Sequence, residues 1–293
     1  MNLNNNIGIT SPGDMGQGMA MCIKAMGFDV CMASDGRSAR TRSLGESAGM
    51  TDCKSLEGLV QTCDMVLSVL DPGFAVTNAH AIAAACRNTG RKIVFAECNA
   101  ISPQTLLEIC DIMSSADCIV VDAGIVGPPP RNGARQSFYV SGPHAGLMNR
   151  INSEQIRVRV AGDKLGDASA VKMCYAALTK GSIALGTELL IAARKLGVDQ
   201  VLEAEFKSTQ AELYETVLGR STGMPSKAYR WVPEMNEIAR TFAGVGLTPR
   251  LLQGAADLFA QVASTPQGKE SPEEARAKKR SGGDVIRGLA DTI

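Results

Sequence analysis

The chain has 293 residues, 45% of them hydrophobic, with 30 Lys+Arg against 30 Asp+Glu. That length supports two domains, because a single hydrophobic core stops growing at ~250–300 residues. The even charge balance and the lack of a basic stripe with interleaved aromatics argue against nucleic acid and anionic membranes, which leaves small molecules or a second copy of the chain as expected partners.

Nine cysteines, with no C-x-x-C pair and only two histidines, offer neither a zinc spacing nor a disulfide framework. They read as small buried hydrophobes in a reducing compartment, and no metal is expected. No apolar run approaches the ~20 residues that span a bilayer, so the expectation is a soluble, cytoplasmic protein without a membrane partner.

Residues 7–10 read as a short strand, followed by Ser11, Pro12, Gly13, Asp14, Met15 and Gly16, then helix to Met26 and a second strand over 28–33. Strand, glycine turn, helix, strand is the arrangement in which a pyrophosphate can sit on free N–H groups at a helix start. Ser11 stands where G-x-G-x-x-G has its first glycine, so a plain βα turn stays open as the alternative. After the second strand come Ser34, Asp35, Arg37, Ser38 and Arg40. Asp35 would accept from an adenosine ribose, whereas Arg37, Ser38 and Arg40 would hold a 2′-phosphate. The later position of Asp35 tips the reading slightly to NADP over NAD, with a solvated loop as the other option.

A strand over 64–70 ends at Leu70, Asp71 and Pro72, and one over 92–97 ends at Cys98, Asn99 and Ala100. Ser102 as N-cap and Pro103 at the first helical position start a helix to Ser114, and the strand over 118–122 ends at Asp122, Ala123, Gly124, Ile125, Val126, Gly127 and Pro128. Alternating strands and helices predict a mostly parallel sheet whose carboxyl ends form one crevice. Three prolines make 124–133 a stiff turn, and 135–141 and 157–161 read as the last strands. The fold class is therefore an α/β Rossmann-type domain over 1–164 followed by an all-α domain over 165–293.

The second half begins with a helix-like run over 162–197 and continues with helices over 200–218, 229–243 and 249–264. A charged helix then starts at Ser271-Pro272, and Gly282-Gly283 precedes a short amphipathic end. At 100° per residue, Val171, Cys174, Leu178, Leu185 and Leu189 share one face of the long helix, and Lys172, Tyr175 and Thr179 another, with Lys180 beside them. A lysine in a buried helix finds a partner, shifts its pKa or faces a cleft, unless it snorkels to the surface.

Together GDMGQGMA at 13–20, ECNAISPQT at 97–105, DAGIVGPP at 122–129 and a lysine on the first long helix resemble the β-hydroxyacid dehydrogenases, which include 3-hydroxyisobutyrate dehydrogenase and 6-phosphogluconate dehydrogenase. The helical half looks like a subgroup with its own phosphogluconate-dehydrogenase-like C-terminal domain. The resemblance implies an NAD(P)-dependent oxidoreductase acting on the CH–OH group of a small β-hydroxy acid. Its G-x-G-x-x-x-K-x-x-N-N signature falls on GDASAVKMCYA at 166–176 and implies Lys172 as acid/base. Departures are Ala168 for the second glycine, Tyr175 and Ala176 for the two asparagines, and Val126 for a serine in the substrate-carboxylate loop that otherwise matches Asp122, Ala123 and Gly127. The family's polar residue near the nicotinamide aligns with Asn99.

Alcohol oxidation by a nicotinamide needs a base beside C4 of the ring. His80 reads as a surface position and His144 as part of a turn, so lysine is the better candidate, its pKa lowered by desolvation and nearby positive charge. Tyr175 or Lys180 would orient the substrate. Arg230 could clamp a carboxylate or phosphate and Trp231 wall the cleft, or the two could simply pack on each other. An imine or ketone reductase on the same scaffold and a non-catalytic NADP-binding protein remain open, and a homodimer through the helical domain is expected from its apolar faces.

Overall fold

The computed structural model describes residues 3–131 and 133–293. Its first half runs β1 (Asn6–Ile9), α1 (Asp14–Ala25), β2 (Asp29–Met32), α2 (Ala39–Ser47), β3 (Thr51–Asp52), α3 (Leu56–Thr62), β4 (Met65–Ser68), α4 (Ala75–Thr89), β5 (Val94–Glu97), α5 (Pro103–Ser114), β6 (Ile119–Val126), β7 (Gln136–Ser141) and β8 (Ile156–Gly162). The strands form one sheet ordered β3-β2-β1-β4-β5-β6-β7-β8, parallel throughout except where β6 meets β7. Side-chain alternation divides the core between the two faces. Val94 and Ala96 join a cluster with Ile7, Met19 and Ile23, while Ile93 and Phe95 join one with Leu59, Ile82 and Leu106. Burial on both faces explains why these strands read as nearly unbroken apolar runs.

The structure departs from the sequence reading at two places in this half. Between the strands expected over 28–33 and 64–70, where no regular element was read, the chain forms α2, β3 and α3, with Ser38 and Ser55 as N-caps. The strand over 118–122 continues as β6 to Val126, because β7 pairs with it through Gly124↔Tyr139, Ile125↔Phe138 and Val126↔Ser137. Gly124, Ile125 and Val126 are therefore strand residues, and Ile125 is buried.

The second half comprises α6 (Asp167–Lys195), α7 (Asp199–Thr209), α8 (Ala211–Ser221), α9 (Ala228–Gly244), α10 (Arg250–Ser264), α11 (Pro272–Ala277) and α12 (Gly282–Ala290). The single helix expected over 200–218 is two, since Gln210 at φ −145°, ψ 42° leaves the helical basin between α7 and α8. Tyr229, Arg230 and Trp231 lie in the first turn of α9, at the start of the helix expected over 229–243. Ser271 and Glu274 form the capping box that starts α11, as the Ser-Pro pair predicts, and a second box from Ser281 and Asp284 draws Gly282 into α12. Glycine is required there: a Cβ on Gly282 would stand 2.3 Å from the Leu218 carbonyl oxygen.

The chain divides into two compact units, 1–173 and 174–293, with the division inside α6, whereas the sequence reading set it at 164/165. The second unit is built around Met235, Ile238, Leu252, Phe259 and Val262. Contrary to the expectation of a helix buried nearly all round, Leu178 is 75% and Leu185 63% exposed on α6. Among the described residues α6 is also long and apolar enough, by length and composition alone, to cross a membrane, which the sequence reading did not anticipate.

Candidate active site

The turn between β1 and α1 is built for close approach of a ligand to the backbone. A Cβ on Gly13 would meet nothing within 4 Å, and Gly13, the N-cap of α1, makes no side-chain cap. The start of α1 thus carries no side-chain cap and has room beside Gly13, as an anion site requires. Gly16 has the opposite role, since a Cβ there would lie 2.2 Å from the Ser11 carbonyl oxygen. Glycine lets the helix close on the turn. Pro12 is buried and abuts Gly45 of α2, and Met15 packs against the core beneath. Asp14 is half-buried, with its carboxylate 3.3 Å from Arg40 and 3.7 Å from Arg131, and Arg131 also donates to the Asp14 carbonyl at 2.6 Å. Two guanidiniums therefore sit at the α1 N-terminus and offset the one acidic side chain there.

At the end of β2 the candidate residues separate by role. Ser38 accepts from Thr41 N–H as the α2 cap, and Ser34 donates its N–H to Asp52. Asp35 is exposed, with its N–H bound to the Lys54 carbonyl. Arg37 is half-buried, forms no ion pair among the described residues, and has its pKa lowered by burial.

Beyond β4 and β5 lies a buried polar network. Asn99, 5% exposed, accepts from Leu70 N–H at 2.6 Å and donates to Ser68 Oγ at 3.0 Å and Glu97 Oε1 at 2.5 Å. Its own N–H also donates to Glu97 Oε1 at 2.9 Å. Both amide protons of Asn99 are engaged, so within the protein it braces the strand ends at Leu70 and Glu97. Asp71 turns its carboxylate onto Gly73 N–H and, with Pro72, starts a short 3-10 turn. Glu97 is 1% exposed, and burial pushes its carboxyl up to about 7, helped by Asp122 on the neighbouring strand and opposed by the bonds from Asn99. Its Oε2 has no hydrogen-bond partner among the described residues.

Asp122 does not face a substrate. It is fully buried, accepting from Ser141 Oγ (2.7 Å), Gly166 N (3.0 Å) and Ser169 N (3.0 Å) on Oδ2, and from Ser169 Oγ (2.6 Å) on Oδ1. These bonds satisfy N–H groups at the start of α6 and set a negative charge at its positive end. Two residues further along β6, a Cβ on Gly124 would stand 2.7 Å from the Ala168 carbonyl and 2.9 Å from Lys172 Cβ. The absent side chain lets the first turns of α6 lie on the strand and brings half-buried Lys172 to the carboxyl end of β6. Gly127, at φ +124°, turns the chain away. Pro129 and Pro130 then pack on Gly18 of α1, so this loop covers the glycine helix and does not extend the crevice.

In the second unit Lys180 pairs with Glu234 at 2.5 Å, with its ammonium 5.5 Å over the Trp231 ring. Trp231 meets Phe259 edge-on at 5.1 Å. Lys180 thus has a carboxylate partner that the sequence reading missed. Thr179 donates to the Tyr175 carbonyl, Tyr175 is 52% exposed, and Arg230 is exposed. His80 and His144 are both exposed, as expected.

Residues 6–151 match the NAD binding domain of 6-phosphogluconate dehydrogenase. The first unit belongs to that NAD-binding family. Residues 193–262 match a domain of unknown function, DUF1932. Among solved structures, the conserved protein MTH1747, described as structurally similar to 3-hydroxyacid dehydrogenases, is 28% identical with a TM-score of 0.63, over 94% of this chain and 99% of its own. Mycobacterium tuberculosis 3-hydroxyisobutyrate dehydrogenase is 18% identical with a TM-score of 0.66, and a Streptomyces aurantiacus imine reductase 17% identical with 0.50, each over 94% of this chain and 99% of the other.

The NAD-binding assignment agrees with the turn at Gly13–Gly16, whose open approach and unblocked helix start fit a pyrophosphate. The residues missed at the sequence level share one signal. Ser68, Glu97, Ser141 and Ser169 are polar residues in or beside apolar elements, and each proves to be buried in a network. A carboxylate closing the run VFAE invited that reading.

Proposed function

We propose that the protein is an NAD(P)-dependent oxidoreductase acting on the CH–OH group of a small β-hydroxy acid or related carboxylate, with Lys172 as acid/base. The observation that carries this reading is the junction of β6 with α6. Asp122 clamps the helix start and Gly124 admits Lys172 to the same edge of the sheet as the glycine turn. Bound nicotinamide would exchange the hydride. The chain's own part is to bind the pyrophosphate on the α1 N–H groups, and to take the proton from the substrate hydroxyl, or return it, at Lys172 Nζ. Tyr175, Thr179 and Lys180 are the candidates for orienting the substrate. The Lys180–Glu234 pair argues that Lys180 acts from a fixed position, and Trp231 gives it an apolar floor.

NADP is the cofactor we favour. Half-buried Arg37, in the turn after β2, has no carboxylate partner among the described residues and suits a 2′-phosphate, whereas Asp35, two residues before it, is exposed. In the test, Lys172→Met should bind NADPH as wild type does and lose at least tenfold in kcat on a hydroxy-acid panel, since general acid/base catalysis is typically worth ~10²–10⁴-fold. Retention of more than about a tenth of wild-type kcat would sink the assignment. A second reading, imine or ketone reduction, draws on Val126 and buried Ala176, which cannot supply the polar contacts implied for a hydroxy-acid carboxylate. Turnover of a cyclic imine but no hydroxy acid would select it. Tight NADPH binding with no turnover of either class would point to a non-catalytic binding protein. We also propose a homodimer formed through the helical unit.

A further inference from the structure

The carboxyl ends of β4 and β5 carry a device that the reading above leaves unused. Strand order reverses between β1 and β4, so a dinucleotide lying across that crevice has its pyrophosphate at the β1 turn. With Arg37 and Ser38 at the end of β2 taking the adenosine half, the nicotinamide half extends over the ends of β4 and β5. There the surface is formed by Leu70, Asp71 and Pro72, and the side chain holding Leu70 N–H is Asn99. Asn99 is in turn held twice by one oxygen of Glu97 and once by Ser68 Oγ, itself an acceptor from Asn78 at 3.2 Å. Glu97 lies deeper, 1% exposed, without a basic partner among the described residues, and pairs in register with Asp122, the residue that clamps the start of α6.

A buried carboxyl away from any cation is costly to maintain, and an apolar residue in this strand would pack as well. What glutamate supplies is a two-fold acceptor that prevents the Asn99 amide from rotating. We propose that Glu97 is a positioning residue for the nicotinamide half of the cofactor. Its carboxyl fixes Asn99, Asn99 fixes the backbone at Leu70, and the ledge from Leu70 to Pro72 then presents one defined surface to the ring. Glu97 touches neither cofactor nor substrate. The inference rests on the cofactor reading above and extends it from the phosphate end to the ring end.

The test compares two ligands on the full-length protein: NADPH, and adenosine 2′,5′-bisphosphate, which keeps the adenosine end and lacks the nicotinamide. Glu97→Ala should weaken NADPH about tenfold and leave the fragment within about twofold, since a buried hydrogen-bond network is lost at one end of the site only. Glu97→Gln, which keeps the acceptor oxygen toward Asn99, should restore most of the NADPH affinity. If Glu97→Ala fails to fold, Asn99→Ser, which shortens the brace but leaves Glu97 in place, should give the same selective loss. Equal weakening of both ligands, or of neither, overturns the proposal and leaves the cofactor reading standing. A wild-type chain that binds neither NADPH nor NADH overturns both.

Discussion

Glu97 also makes a prediction about stability. Burial raises its carboxyl from an ordinary 4.5 to about 7, so between those values the folded protein binds a proton that the unfolded chain has released. Stability therefore falls as pH rises from about 4.5 to about 7 and is flat beyond, with a total effect of up to roughly 3 kcal/mol from this group. Urea unfolding of wild type and Glu97→Gln at pH 5, 6, 7 and 8 should show the variant gaining on wild type as pH rises. A constant difference across the series would mean that Glu97 does not titrate in this window. Single residues were legible in the sequence by type more than by role. Lys172 stood out as a charge in an apolar helix, but Asp122 and Asn99, chosen for their place at strand ends, turned inward. An exposed strand end and a buried helix cap favour the same short polar residues, so local sequence does not separate them.

At the scale of elements, the contact that matters most is β6 against the start of α6. Gly124→Ala would set a methyl 2.7 Å from the Ala168 carbonyl, a backbone atom that can give way only if the helix shifts. We expect a loss of about 1–3 kcal/mol in chemical denaturation, as for other overpacked sites, together with loss of the Lys172-dependent activity. Unchanged stability and turnover would show that α6 is not seated by this approach. The sheet, the glycine turn and most helix starts could be read directly from apolar runs, Ser caps and the Ser-Pro pairs. The α7–α8 break could not, because Gln210 is a good helix former and only the packing on either side takes it out of the helix. The extension of β6 was also hidden, since Gly124–Val126 reads as a loop until β7 is known to pair with it.

For the whole molecule, the exposed apolar face of α6 calls for a partner. Leu178 and Leu185 line a groove in the second unit with Leu251, which is 77% exposed, and with Leu252 and Ala255. Soluble monomers rarely leave so continuous a patch in water. We expect wild-type protein to scatter light as a dimer and Leu178→Glu/Leu185→Glu to give a mass near the 30.8 kDa of one chain. A monomeric wild type would refute the homodimer. By itself the sequence determined the class of fold, the glycine turn and the helix that bears Lys172, because these follow from local periodicity and from residues with few conformational alternatives. Tertiary structure alone decided which polar groups face the crevice and which are tied up beneath it. Asp122, Asn99 and Lys180 each find partners far along the chain, at Ser169, Leu70 and Glu234, and a hydrogen bond between distant segments leaves no trace in either segment's own pattern.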